Sequence, residues 1–166
     1  MNTVRTGLDY SERALTALCV ISFAVMFLLG VATVLFRFVL EASLAFPDEL
    51  IRYLFVWTIF LGSAVALRRN AHAAIGIFVG WLPAGPKRAA LLVATGFGMA
   101  FFAILLVYGA LLTVRVVPQI SPALEISMAW AYGAVPAGAL FLLIYSAEIF
   151  AAQLVMPASE LTADGA

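Results

Sequence analysis

Residues 14–36 run for 23 positions without a charged side chain. As a helix rising 1.5 Å per residue, such a run is long enough to cross a hydrocarbon layer about 30 Å thick. Composition decides between a soluble core helix and a lipid-embedded one. The 166 residues are 65% apolar and only 11% charged, where a soluble domain carries about 25% charged residues. Mean hydropathy is +1.11, and further uncharged runs follow the first. The expected fold class is an all-α membrane protein, with four transmembrane helices and an interfacial helical segment between spans 2 and 3. Nine basic and nine acidic residues balance, so no bulk charge draws the chain to nucleic acid. Cys19 is the single cysteine and closes no internal disulfide. The first apolar run far exceeds the roughly 7–15 residues of a signal peptide, and more spans come after it.

Charges and prolines divide the rest. Residues 1–13 are polar and read as a cytoplasmic N-terminal tail. A membrane domain over 14–153 follows, with spans at about 14–38, 47–67, 89–114 and 126–149. Residues 154–166 read as a disordered cytoplasmic tail, being small and polar. Arg37 closes the first span, and Glu41 stands four residues on, where the two could pair on one helix face. The strictly uncharged part of the second span is short, and starting its helix at Pro47 lengthens it to 21 residues. Proline suits a first helical turn because its missing N–H has no partner there. Asp48 and Glu49 then meet the positive end of the helix dipole. Between Arg69 and Lys87 the chain is uncharged but broken by Gly76, Gly80, Pro83, Gly85 and Pro86. That pattern fits an interfacial segment anchored by His72 and Trp81 better than a fifth crossing.

With four spans, Arg5, Arg13, Arg68, Arg69, Lys87 and Arg88 share one side of the membrane, and Arg37, Arg52 and Arg115 the other. This excess places both termini in the cytoplasm. The chemistry-bearing candidates cluster at the two ends of span 2. Asp48, Glu49 and Arg52 fall on one helix face, either as a self-neutralising foot or as a docking site for a partner subunit. Arg68, Arg69 and His72 stand at the other end. Small residues at Gly62 and Ala66, and at Gly76 and Gly80, match a helix-packing spacing. A single histidine cannot supply a bis-histidine haem, and no metal-ligand cluster, phosphate loop or Ser-His-Asp set accompanies it. The sequence therefore points to no enzyme and no cofactor bound by this chain. Glu148 ends the fourth span as a snorkelled or partner-paired acid. Two alternatives give single residues a sharper role: an autonomous oligomeric exporter using Glu148 as its coupling acid, and a redox-enzyme anchor using His72 as a haem ligand.

An ordered set of motifs carries a resemblance. Pro47-Asp48-Glu49-Leu50-Ile51-Arg52-Tyr53-Leu54-Phe55-Val56-Trp57, then Gly62, then Arg68-Arg69-Asn70-Ala71-His72, resembles the small membrane subunit of tripartite ATP-independent periplasmic (TRAP) transporters, the DctQ-like family. Leu82-Pro83, the run Gln119-Ile120-Ser121-Pro122-Ala123-Leu124, and Tyr132 with Pro136 and Gly138 follow in the same order. Ala73-Ala74-Ile75-Gly76 stands where the family tends to show branched residues and an aspartate, so no role of that aspartate carries over. The resemblance implies a bacterial inner-membrane subunit of a symporter. Its partners would be a large membrane subunit holding the substrate and sodium sites, and a periplasmic substrate-binding protein. This chain would be a scaffold, with Asp48, Glu49, Arg52, Trp57, Gly62, Arg68, Arg69 and His72 as structural or subunit-interface residues.

Overall fold

A computed structural model describes residues 2–41, 46–70 and 84–155. Helix α1 covers Asn2–Phe38, α2 Phe46–Asn70, α3 Ala84–Arg115, the short α4 Ala129–Tyr132, and α5 Ala134–Val155. Four apolar stretches are long enough to cross a membrane: Thr6–Phe38, Phe46–Arg69, Arg88–Arg115 and Ala129–Val155. The expected interfacial segment, with His72, Gly76, Gly80 and Trp81, lies outside the described residues.

Element boundaries differ from the sequence reading at the start of span 1, at the start of span 3, where α3 takes in Gly85 and Pro86, and in span 4. The helix of span 1 begins at Asn2, so the polar residues read as a tail form its first turns. The carboxylates of Asp9 and Glu12 are engaged by Arg68 from that helix, and this gives the polar segment a reason to stay helical. At its other end α1 stops at Phe38, where the sequence reading ended span 1, and Glu41 beyond it takes a left-handed conformation with φ 50°. Glu41 therefore does not continue the helix that would have aligned it with Arg37, and the guanidinium of Arg37 lies over the Phe38 ring instead. The fourth span is interrupted near its start. Pro136 has no N–H to give to the carbonyl of Tyr132, and the helix breaks between α4 and α5 there. The break is bridged by Gly133 N–H donating to Ala129 at 2.8 Å and Ala137 N–H donating to Gly133 at 3.2 Å.

The helices pack in the order α1, α2, α5, α3, with α2 and α5 in the middle. The core is one cluster of Leu15, Leu61, Ala64, Val65, Leu142 and Tyr145, flanked by Cys19, Trp57 and Phe102. At Gly138, α5 lies hard against α2. A Cβ there would lie 2.5 Å from the Cβ of Phe60 and 3.0 Å from its backbone carbonyl carbon. Gly62, singled out by its spacing, has only ordinary contact: a Cβ there would stand 3.9 Å from Cys19 Sγ. Outward faces remain apolar, with Phe23, Phe27, Phe97 and Phe101 all exposed. Within the spans, the hydroxyls of Thr33, Thr58, Ser63 and Thr113 each donate to the carbonyl four residues back. Turning polar groups onto the helix's own backbone is what a hydrocarbon solvent requires. Thr95 Oγ1 donates across the α3–α5 contact to Gln153 Oε1 at 3.0 Å.

Candidate functional site at the two ends of the second helix

Arg68 stands in the last turn of α2, where a cation suits the negative end of the helix dipole. A guanidinium has five N–H donors, and in Arg68 each finds an acceptor. Nε donates to Glu148 Oε2 at 3.0 Å. Nη1 donates to the Leu8 carbonyl at 3.0 Å and to Glu12 Oε2 at 2.7 Å. Nη2 donates to Asp9 Oδ1 at 2.6 Å and, more weakly, to Glu148 Oε1 at 3.4 Å. Arg68 Cζ lies over the Tyr145 ring, 5.3 Å from its centre, a cation–π distance. The Arg68 side chain is only 11% exposed, while Asp9 is 60% exposed, so the node closes at the bundle's edge with one acid in contact with the outside.

Neighbouring groups complete the node. Ser11 Oγ donates to the Leu8 carbonyl at 2.8 Å. That uses its one proton, so in the 2.9 Å contact between Ser11 and Tyr145 the tyrosine hydroxyl donates. Arg69 donates from Nε to Glu12 Oε1 at 2.7 Å and from Nη2 to Thr16 Oγ1 at 3.3 Å. Three carboxylates thus face two guanidinium groups, and three helices meet at one side chain. Replacing such an arrangement by apolar groups can be neutral, but removing one member of a buried pair costs about 3–5 kcal/mol. On the adjoining edge, Arg88 donates to the Leu154 carbonyl and ties α3 to the end of α5.

The opposite end of α2 is built differently. Pro47 is buried in the first turn and Glu49 is 8% exposed, whereas Asp48 beside it is exposed. Glu49 accepts a hydrogen bond from Tyr53 Oη at 2.7 Å on one oxygen. Its other oxygen accepts from the backbone N–H groups of Ala123 at 2.9 Å and Leu124 at 3.1 Å. The carboxylate therefore caps the connector between α3 and α4. That connector is a tight hairpin: Ile120 bridges to Ser127, and Ser127 Oγ donates to the Val117 carbonyl at 2.7 Å. Trp57 Nε1 donates to the Trp130 carbonyl at 2.9 Å, a second tie from α2 to the start of the last span.

The sequence placed Asp48, Glu49 and Arg52 together on one face, but they do not neutralise each other. Arg52 is exposed and, among the described residues, donates to the backbone carbonyl of Asp48 at 3.4 Å. Among the described residues, no salt bridge joins Arg52 to either acid, and every ion pair lies at Arg68 or Arg69. Glu148, read as snorkelled or partner-paired, meets Arg68 of its own chain. Asp9 and Glu12 were not singled out by the sequence reading. Their three-residue spacing on one helix face is the signal that could have found them. No group of three metal-ligating side chains occurs among the described residues.

Four lipid-facing apolar helices with charge gathered at their ends define a polytopic α-helical membrane protein. The chain belongs to the family of tripartite ATP-independent periplasmic transporters, DctQ component, whose model matches residues 26–155. It is 31% identical over 80 residues to a protein of Haemophilus influenzae named for the TRAP transporter small permease role, a match covering 48% of this chain and 50% of that one. It is 32% identical over 98 residues to the C4-dicarboxylate TRAP transporter small permease protein DctQ of Rhodobacter capsulatus, covering 58% of this chain and 43% of that one. The chain thus spans about half the length of these relatives.

Proposed function

We propose that this chain is the small permease subunit of a TRAP transporter in the bacterial inner membrane. It acts as a scaffold that supports a large elevator-type membrane subunit during sodium-coupled solute import, with a periplasmic binding protein delivering the solute. The observation that carries this reading, beyond family membership, is the closure of the Arg68 node. Glu12 and Glu148 are both held by guanidinium groups. Both oxygens of each carboxylate already accept from guanidinium N–H groups, which leaves neither acid free to bind and release an ion during a transport cycle. The chain's charge chemistry serves to fix shape, and a moving subunit needs a fixed neighbour in the bilayer. Sodium and substrate sites then belong to the large partner.

The same geometry speaks against the autonomous exporter, because its coupling acid, Glu148, already holds Arg68. Both termini are assigned to the cytoplasm by the excess of arginine and lysine on that side. The Glu49 end then faces the periplasm. There Arg37, Asp48, Arg52, Arg115 and Glu125 make no salt bridge among the described residues, and partner subunits are the natural source of counter-charges. Co-purification with a large multi-span subunit tests the reading. Recovery of the complex supports it, and solute uptake by this chain alone in proteoliposomes would overturn it.

A further inference from the structure

α1 and α5 are the first and last helices of the described chain, and Arg68 of α2 stands between them. Their polar contact runs through Arg68, Tyr145 and Ser11. α1 supplies three acceptors to Arg68, from Leu8, Asp9 and Glu12. α5 supplies both oxygens of Glu148 and the Tyr145 ring. Neither set alone satisfies the guanidinium. We propose that Arg68 is a latch that couples the seating of the first helix to the seating of the last, so that the bundle holds as one body. Asp9 and Glu148 communicate through the arginine between them.

The charge balance gives the latch a signature that three independent contacts would lack. With three carboxylates against two guanidinium groups, one negative charge is in surplus. Neutralising one acid relieves repulsion while weakening a bond, and the effects partly cancel. Neutralising two leaves a nearly buried arginine short of partners. Without Arg68, the same acids repel with only Arg69, which holds Glu12, left to offset them, and neutralising one becomes favourable. The donor count adds a second signature. Lysine has three donors where arginine has five, and it lacks the planar fork that spans acids on two helices.

The test is thermal unfolding of the purified full chain in mild detergent. Asp9→Asn and Glu148→Gln are each expected to lower the melting temperature modestly, and the double variant by clearly more than the two losses together. In an Arg68→Gln background, Glu148→Gln should raise the melting temperature, a reversal of sign. Should Arg68→Gln not fold, the Asp9→Asn and Glu148→Gln pair still decides the matter. Additive losses in that pair would overturn the proposal. So would a melting temperature restored to the wild-type value by Arg68→Lys. The measurement uses no partner subunit, so its failure is distinguishable from failure of the transport reading.

Discussion

Replacing Gly138 by alanine puts a methyl group where α5 lies directly on α2. The new Cβ would sit 2.5 Å from Phe60 Cβ, and 3.0 Å from both the carbonyl carbon and oxygen of Phe60. Non-bonded carbons rest about 3.5–4.0 Å apart. Two of the three nearest atoms are backbone, so no rotamer change clears the space, and the helices must part by roughly 1 Å. A gap of that size forfeits a quarter to a half of the dispersion energy of the atoms it separates. Overpacking of this kind costs about 1–3 kcal/mol. The better helix propensity of alanine returns up to about 1 kcal/mol, so the net loss lies between roughly 0 and 3 kcal/mol and centres near about 1.5 kcal/mol. Gly96 on α3 is the matched control, because a Cβ there meets nothing within 4 Å. Thermal unfolding in detergent is expected to rank Gly138→Ala below wild type and Gly96→Ala level with it or above. Equal melting temperatures for the two alanine variants would refute the claim that the α2–α5 crossing is closed at Gly138.

Glu49→Gln keeps one amide oxygen for the connector but loses the carboxylate that takes two backbone N–H groups and Tyr53 together. Faster hydrogen exchange at Ala123 and Leu124 is expected, with no change for Asp48→Asn; unchanged exchange in both would dismiss the capping role. Trp57→Phe removes the Nε1 bond to the Trp130 carbonyl while keeping an aromatic ring in place, and should cost about 1 kcal/mol, read as a lower melting temperature. Arg52→Ala and Arg115→Ala should leave the stability of the isolated chain alike and near wild type, because neither guanidinium holds a salt bridge among the described residues; a large loss for Arg52→Ala alone would mean that it does pair with Asp48 or Glu49.

The spans were legible because an uncharged run long enough to cross a bilayer has few other uses. The two ends of α2 were legible as well, since Pro47-Asp48-Glu49 and Arg68-Arg69 mark a helix start and stop by dipole and proline chemistry. Partner choice at those ends was not. Asp48 and Glu49 are adjacent and chemically alike, and which one turns inward depends on the position of a loop more than 70 residues away. Helix spacing brought Arg52 within reach of both acids, yet burial drew Glu49 to backbone N–H groups instead. The Arg68 node joins residues 56 to 80 positions apart, a separation that no local periodicity encodes. Gly138 appeared in the sequence only as one position of a family motif, while its role follows from where α5 crosses Phe60. Residues 71–83, including His72, lie outside the described structure.

The most direct test of the central claim is solute uptake in proteoliposomes containing the large membrane subunit and its binding protein, with and without this chain. The scaffold account predicts sodium-dependent uptake only when this chain is present, and none from this chain by itself. Full uptake by the large subunit and binding protein without it would contradict the account.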